Sequence, residues 1–137
     1  MKFVYPVQSF DIYDADTVRT VLDRGFGETK KRSVRVMGID APEVRTRNKL
    51  EKQAGKLVTT VAAQWLATVE TLMFHSVKRD KYAGRGVGSL YDYNEPEDTL
   101  ARYLIGLSVV EPYDGGTKQA WTDKRLKEII DICNEQF

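Results

Sequence analysis

A small closed β-barrel with helices packed against it suits this 137-residue sequence, on three observations. Five strand-like runs rich in β-branched and aromatic residues are separated by Gly, Asp and Asn turn signals. One long run between the third and fourth strands has helical spacing instead. A hydrophobic share of 42% over this length allows one domain with a substantial core. Periodicity alone does not fix how the strands pair.

Taken in order, residues 3–12 mix apolar and polar positions, with Pro6 early, and read as a first strand. Tyr13-Asp14-Ala15-Asp16 is an aspartate-rich turn, and Thr17 to Leu22 completes a hairpin. Asp23 to Thr29, with Gly25 and Gly27, turns the chain again, and Lys30-Lys31-Arg32 forms a short basic rim. Ser33 to Ile39 reads as the third strand, and the basic stretch from Val44 to Lys49 reads as a loop. From about Glu51 to Glu70, apolar residues recur at Ala54, Leu57, Val58, Val61, Trp65 and Val69, which gives a helix with one face toward a core. Thr71 to Lys78 reads as the fourth strand, Arg79 to Gly84 as a charged turn, and Val87 to Tyr93 as the fifth strand. After a loop at 94–97, Asp98 is the expected cap of a short helix running to Leu107. Val109-Val110 is a short extended piece, and residues 111–116 form a loop. Thr122 then caps a final helix with Leu126, Ile129, Ile130 and Cys133 on one face.

Composition narrows the chemistry. A net charge of +1 provides no global field for polyanions, so nucleic-acid binding would have to use local patches. The single cysteine, Cys133, excludes an internal disulfide and a cysteine-rich zinc site; the single histidine, His75, excludes a multi-histidine metal site. No apolar run is long enough to span a membrane, and the start, Met1 to Pro6, does not read as a signal peptide. The expectation is a cytoplasmic monomer.

The stretch Arg35-Val36-Met37-Gly38-Ile39-Asp40-Ala41-Pro42-Glu43 stands apart. An arginine beside a packed strand costs free energy unless an anion meets it. Pro42 stiffens the turn after Asp40, so Asp40 and Glu43 share one corner close to that cation. Such a corner suits chemistry on phosphate.

Three blocks, Asp14-Ala15-Asp16-Thr17, Arg35 through Glu43, and Asp80-Lys81-Tyr82-Ala83-Gly84-Arg85-Gly86, together resemble the staphylococcal (thermonuclease-like) nuclease family in order and spacing. The resemblance runs through nearly the whole chain. It implies a five-stranded OB-fold barrel with three helices and a calcium-dependent phosphodiesterase that cuts DNA or RNA and leaves 3′-phosphate ends. By position, Asp16, Asp40 and the backbone carbonyl of Ala41 look like metal ligands, and Asp14 like an acid just behind them. Arg35 and Arg85 look like the phosphate-binding arginines and Glu43 like the residue that activates water. Lys81, Tyr82 and Tyr113 look like substrate contacts. Ala41 stands where threonine is common, Ala15 where glycine is common, and Ala83 adds a residue to the third block.

The residue chemistry agrees with that resemblance. Carboxylates are hard ligands suited to Ca²⁺ or Mg²⁺. Two of them neutralise one divalent ion, and two guanidinium forks then match the charge that develops on phosphorus. Removing either arginine is expected to cut turnover by orders of magnitude. Taken singly, each block also has a plainer reading: an acidic hairpin turn, a barrel-edge arginine paired with a carboxylate, a charged hairpin. A non-catalytic nucleic-acid- or protein-binding module of the same fold is the alternative, and such a module is expected to lose the carboxylates or arginines that this chain keeps. Lys49, Lys52 and Lys56 read as a solvated face, Trp65 and Trp121 as packing residues, and Tyr113 as either loop or base-stacking residue.

Overall fold

Three long strands form first along the chain: β1 (Val4–Asp14), β2 (Thr17–Gly25) and β3 (Glu28–Val36) make an antiparallel meander. The structure, a computed structural model, describes residues 3–79 and 85–136. A two-residue strand β4 (Ile39–Asp40) precedes helix α1 (Lys49–Thr68). Then come β5 (Leu72–Arg79), β6 (Arg85–Asp92), β7 (Glu95–Thr99), helix α2 (Leu100–Gly106), β8 (Glu111–Pro112) and helix α3 (Asp123–Gln136).

The barrel closes through two long-range pairings. The start of β1 runs antiparallel to β5, with Val4 opposite His75. β6 runs antiparallel to β5 and parallel to β3, with Ser33 opposite Arg85 and Val36 opposite Gly88. The cyclic order β3-β2-β1-β5-β6 is therefore a closed five-stranded barrel of the expected OB type, carrying three helices. Strand β7 extends it beyond β6, and β4 pairs with β8 in a separate two-stranded ribbon. No described helix is long and apolar enough to cross a membrane.

Alternation along the strands fills the barrel with Val18, Val34, Val36, Phe74 and Leu90, all almost fully buried. Helix α1 buries Ala54, Val58, Val61, Ala62, Trp65 and Leu66, and α3 buries Leu126, Ile129, Ile130 and Cys133, the face its spacing predicts. Each fully buried Leu or Ile contributes roughly 1.5–3 kcal/mol, so the helices are held by this face rather than by propensity. Thr122 caps α3 as expected, its hydroxyl accepting the Arg125 amide at 3.1 Å.

Several boundaries differ from the sequence expectation. The third strand ends at Val36 rather than Ile39, because Gly38 takes φ +93° and breaks the run; Ile39 and Asp40 then pair with β8. The second turn is only Phe26-Gly27, and Lys30-Lys31-Arg32 lies inside β3, opposite Leu22, Val21 and Thr20. A partner strand overrides the low strand propensity of lysine there. Lys49 belongs to α1, because the Asn48 carboxamide accepts the Leu50 and Glu51 amides at 3.0 Å each. Residues 95–99 are strand rather than loop and cap, and Thr99 caps α2 instead of Asp98. The expected charged turn lies, from residue 80 onward, outside the described residues, as do Lys81 and Tyr82.

Candidate functional site

The carboxylates gather where the β1–β2 turn meets the corner that follows β4. Asp14, Asp16 and Asp40 are each less than a tenth exposed, as is Arg35. Asp16 is the hub. Its Oδ2 accepts the Ala41 amide at 2.9 Å and lies 3.2 Å from Arg35 Nη1; its Oδ1 accepts the Thr17 hydroxyl at 3.2 Å. Arg35 Nη1 also donates to the Asp16 backbone oxygen at 3.2 Å. These bonds tie the corner at Ala41 to the β1–β2 turn and to Arg35 on β3, and they need both the tight turn and the proline-stiffened bend to form. Asp14 Oδ1 accepts the Val44 amide at 2.9 Å, and the guanidinium groups of Arg45 and Arg19 stand 4.6 and 5.6 Å from the Tyr13 ring centre.

Helix α1 sets the far edge of this corner. A Cβ on Gly55 would fall 2.5 Å from the Glu43 carbonyl oxygen, so only glycine lets the helix approach so closely. Glu51, in the same first turns, accepts the Glu43 amide at 2.9 Å. The Glu43 side chain is exposed at the rim.

The opposite wall comes from the segment after β8. The Tyr113 amide donates to the Gly38 carbonyl at 2.9 Å, and its ring stands 5.7 Å from the Arg35 guanidinium. Arg125 on α3 holds β8 in place through Glu111 and through the carbonyls of Ser108 and Val110. A cleft of about 650 Å³ runs from Asp40 between Tyr113, Gln119, Trp121 and Arg125. Trp121 packs on the core, as expected, and also lines this cleft.

Sequence reasoning missed Lys118. Its ammonium lies 3.4 Å from Asp40 Oδ1 and 5.6 Å from the Tyr113 ring centre. One lysine in a polar loop carries no pattern that could point to this contact. Arg125 was missed likewise; it was legible only as a basic residue in the first turns of α3.

Arg85 opens β6 opposite Ser33, and Arg35 stands opposite Val87. The pleat puts all four on one face, so the two arginine Cα atoms are roughly 8 Å apart on the outside of the barrel. The second terminal nitrogen of Arg35, Nη2, is buried with no hydrogen-bond partner among the described residues.

The local field is that of crowded acids. Burial pushes the Asp14 carboxyl up, against the Val44 amide bond, and the neighbouring Asp16 charge pushes it further. Burial also raises Asp40, with Lys118 opposing and Asp16 adding to the rise. Partial desolvation raises Glu43, followed by the charges of Glu51 and Asp14. Because Glu43 is exposed at its surface, the like charges are its better-founded cause. Among the described residues no three His, Cys, Asp or Glu side chains form a ready metal cluster. The acids present offer hard oxygens and excess negative charge, which fits a calcium-type ion held by few protein ligands. No protein-family model and no curated protein matches this chain.

Proposed function

We propose that this chain is a calcium-dependent nuclease of the staphylococcal type, hydrolysing phosphodiester bonds in DNA or RNA. The observation that carries the reading is Arg35: a buried guanidinium, tied by Nη1 to Asp16, whose Nη2 has no hydrogen-bond partner among the described residues. A buried donor left unpaired costs roughly 1–3 kcal/mol, and a phosphate oxygen would relieve that cost. Asp16 and Asp40, with the Ala41 carbonyl, would hold the Ca²⁺, with Asp14 behind them. When bound, the ion supplies positive charge to the phosphate and to a nearby water.

The chain's own residues do the rest. Arg35 and Arg85 share one face and present charged donors to non-bridging phosphate oxygens, whose negative charge grows toward the transition state. Glu43, with its raised carboxyl, takes a proton from the attacking water. The water oxygen bonds to phosphorus, and the 5′ oxygen departs with its electron pair and takes up a proton, leaving a 3′-phosphate. Tyr113 offers an aromatic face beside Arg35, and Lys81 and Tyr82 complete the proposed substrate contacts.

One observation favours a second reading. The Lys118 ammonium already neutralises Asp40, which is what a binding module working without metal would need. Incubation with single-stranded DNA and with RNA, first in Ca²⁺ and then in chelator, separates the two. Cleavage that stops in chelator is the expected result. Tight binding with no cleavage in any divalent ion would leave the binding module.

A further inference from the structure

The β2–β3 hairpin ends in Phe26-Gly27, with φ +57° and +75°. Two left-handed residues in a row are the requirement of a type I′ turn, where Asn-Gly is the favoured pair. A bulky aromatic at the first position is strained, since its Cβ crowds the backbone there. The Phe26 side chain recovers nothing from the fold in return: it is fully exposed, at 103% relative accessibility. The sequence therefore keeps a residue that is poor for the turn and buries no surface.

The strands beneath it are basic. Arg24, Lys30 and Lys31 are exposed and Arg32 is half-buried. Two carboxylates, Asp23 and Glu28, oppose these four cations, and Asp23 is engaged with the Gly25 amide at 2.8 Å. The hairpin thus carries more positive charge than the whole chain, whose net is +1. Along β3 the pleat puts Lys31, Ser33 and Arg35 on one face, and Lys30 and Arg32 on the other. Lys31 stands roughly 13 Å from Arg35, and Phe26 roughly 25–30 Å away, at the strand rise.

We infer that the β2–β3 hairpin is a binding arm for single-stranded nucleic acid: Lys31 continues the line of phosphates leading away from Arg35, the cations on the other face add positive charge to the arm, and Phe26 stacks on an unpaired base. An aromatic face combined with a cationic track is the chemistry that grips single strands without reading sequence. The partner's identity rests on the nuclease reading above; the unfavourable turn residue does not.

The test compares the wild-type chain with F26N and F26W, in chelator so that strands stay intact. Probes are fluorescein-labelled single strands of about 16 nucleotides, one DNA and one RNA, and a dinucleotide too short to reach the arm. For F26N we expect a melting temperature higher by about 2 °C. Its affinity for the long strands should fall about tenfold, with dinucleotide affinity unchanged. F26W should bind the long strands like the wild type. The arm is refuted if F26N binds the long strands within twofold of wild type, loses dinucleotide binding equally, or melts lower. It is also refuted if F26N loses affinity for anionic lipid vesicles instead of for the strands. A wild-type chain that binds neither DNA nor RNA overturns the arm and the nuclease reading together, whereas a binding wild type with an unaffected F26N overturns the arm alone.

Discussion

Asp40 has two cations to choose from, the ammonium of Lys118 and the divalent ion proposed for the site. They compete for the same carboxylate, so removing one strengthens the other. Lys118 is about half exposed, at 46%, which discounts the ion pair to ~1 kcal/mol. K118Q is accordingly expected to tighten Ca²⁺ binding about threefold to fivefold by titration calorimetry, and K118R to leave it near wild type. Weaker binding in K118Q would show that the lysine supports the ion instead of displacing it. Asp14 makes a second prediction. Burial raises its folded carboxyl above the unfolded value of 3.8, so its stabilising contribution is complete below that value and disappears as pH rises through the raised one. Above that window the ionised, buried group is a net cost to the metal-free protein. D14N keeps an oxygen for the Val44 amide, so its melting temperature should exceed that of wild type by a margin that grows from acid to neutral pH. A margin independent of pH would remove the assignment.

Among the elements, α1 decides where the acidic corner stands. A glycine inside an exposed helix usually costs about 1 kcal/mol relative to alanine. At Gly55 that gain is outweighed, because the added Cβ would sit 2.5 and 2.9 Å from the Glu43 and Pro42 carbonyl oxygens, and backbone does not yield as a side chain does. G55A should lose about 1–3 kcal/mol in denaturant unfolding and lower turnover through the displaced Glu43. A neutral or stabilised G55A would mean that the corner yields freely. Element type was legible where burial is one-sided: the α1 and α3 faces follow their apolar spacing, and β2 buries alternate residues. Basic residues 30–32 hid the first half of β3, since lysine and arginine give no strand signal and only the ladder to β2 holds them extended.

For the whole molecule, barrel closure assembles the site. The parallel β3–β6 pairing puts Arg85 beside Arg35, the β1–β2 turn brings Asp16 to Ala41, and the β4–β8 ribbon carries Tyr113 and Lys118 to Asp40. An ion held by such a set binds the folded chain and not the unfolded one. Calcium at about a hundred times its dissociation constant should add ~2.7 kcal/mol, a rise of several degrees in melting temperature by calorimetry. Removing the Asp40 carboxylate, as in D40N, should abolish that rise. An equal rise in D40N would place the ion elsewhere.

The sequence by itself determined the pieces whose causes are local. Turn chemistry set the Asp14–Asp16 hairpin, Pro42 set the corner, apolar spacing set α1, Thr122 and apolar spacing set α3, and only the family resemblance grouped Asp16, Arg35, Asp40, Glu43 and Arg85 into one proposed chemical set. Tertiary structure alone decided that Asp16 serves as the hub between Arg35 and Ala41, that Gly55 lets α1 touch the corner, and that Lys118 is the cation on Asp40. Those contacts join segments far apart in the chain. Their free energy exists only after closure of the barrel has removed the entropy that keeps such segments apart, and no residue pattern within either segment records it.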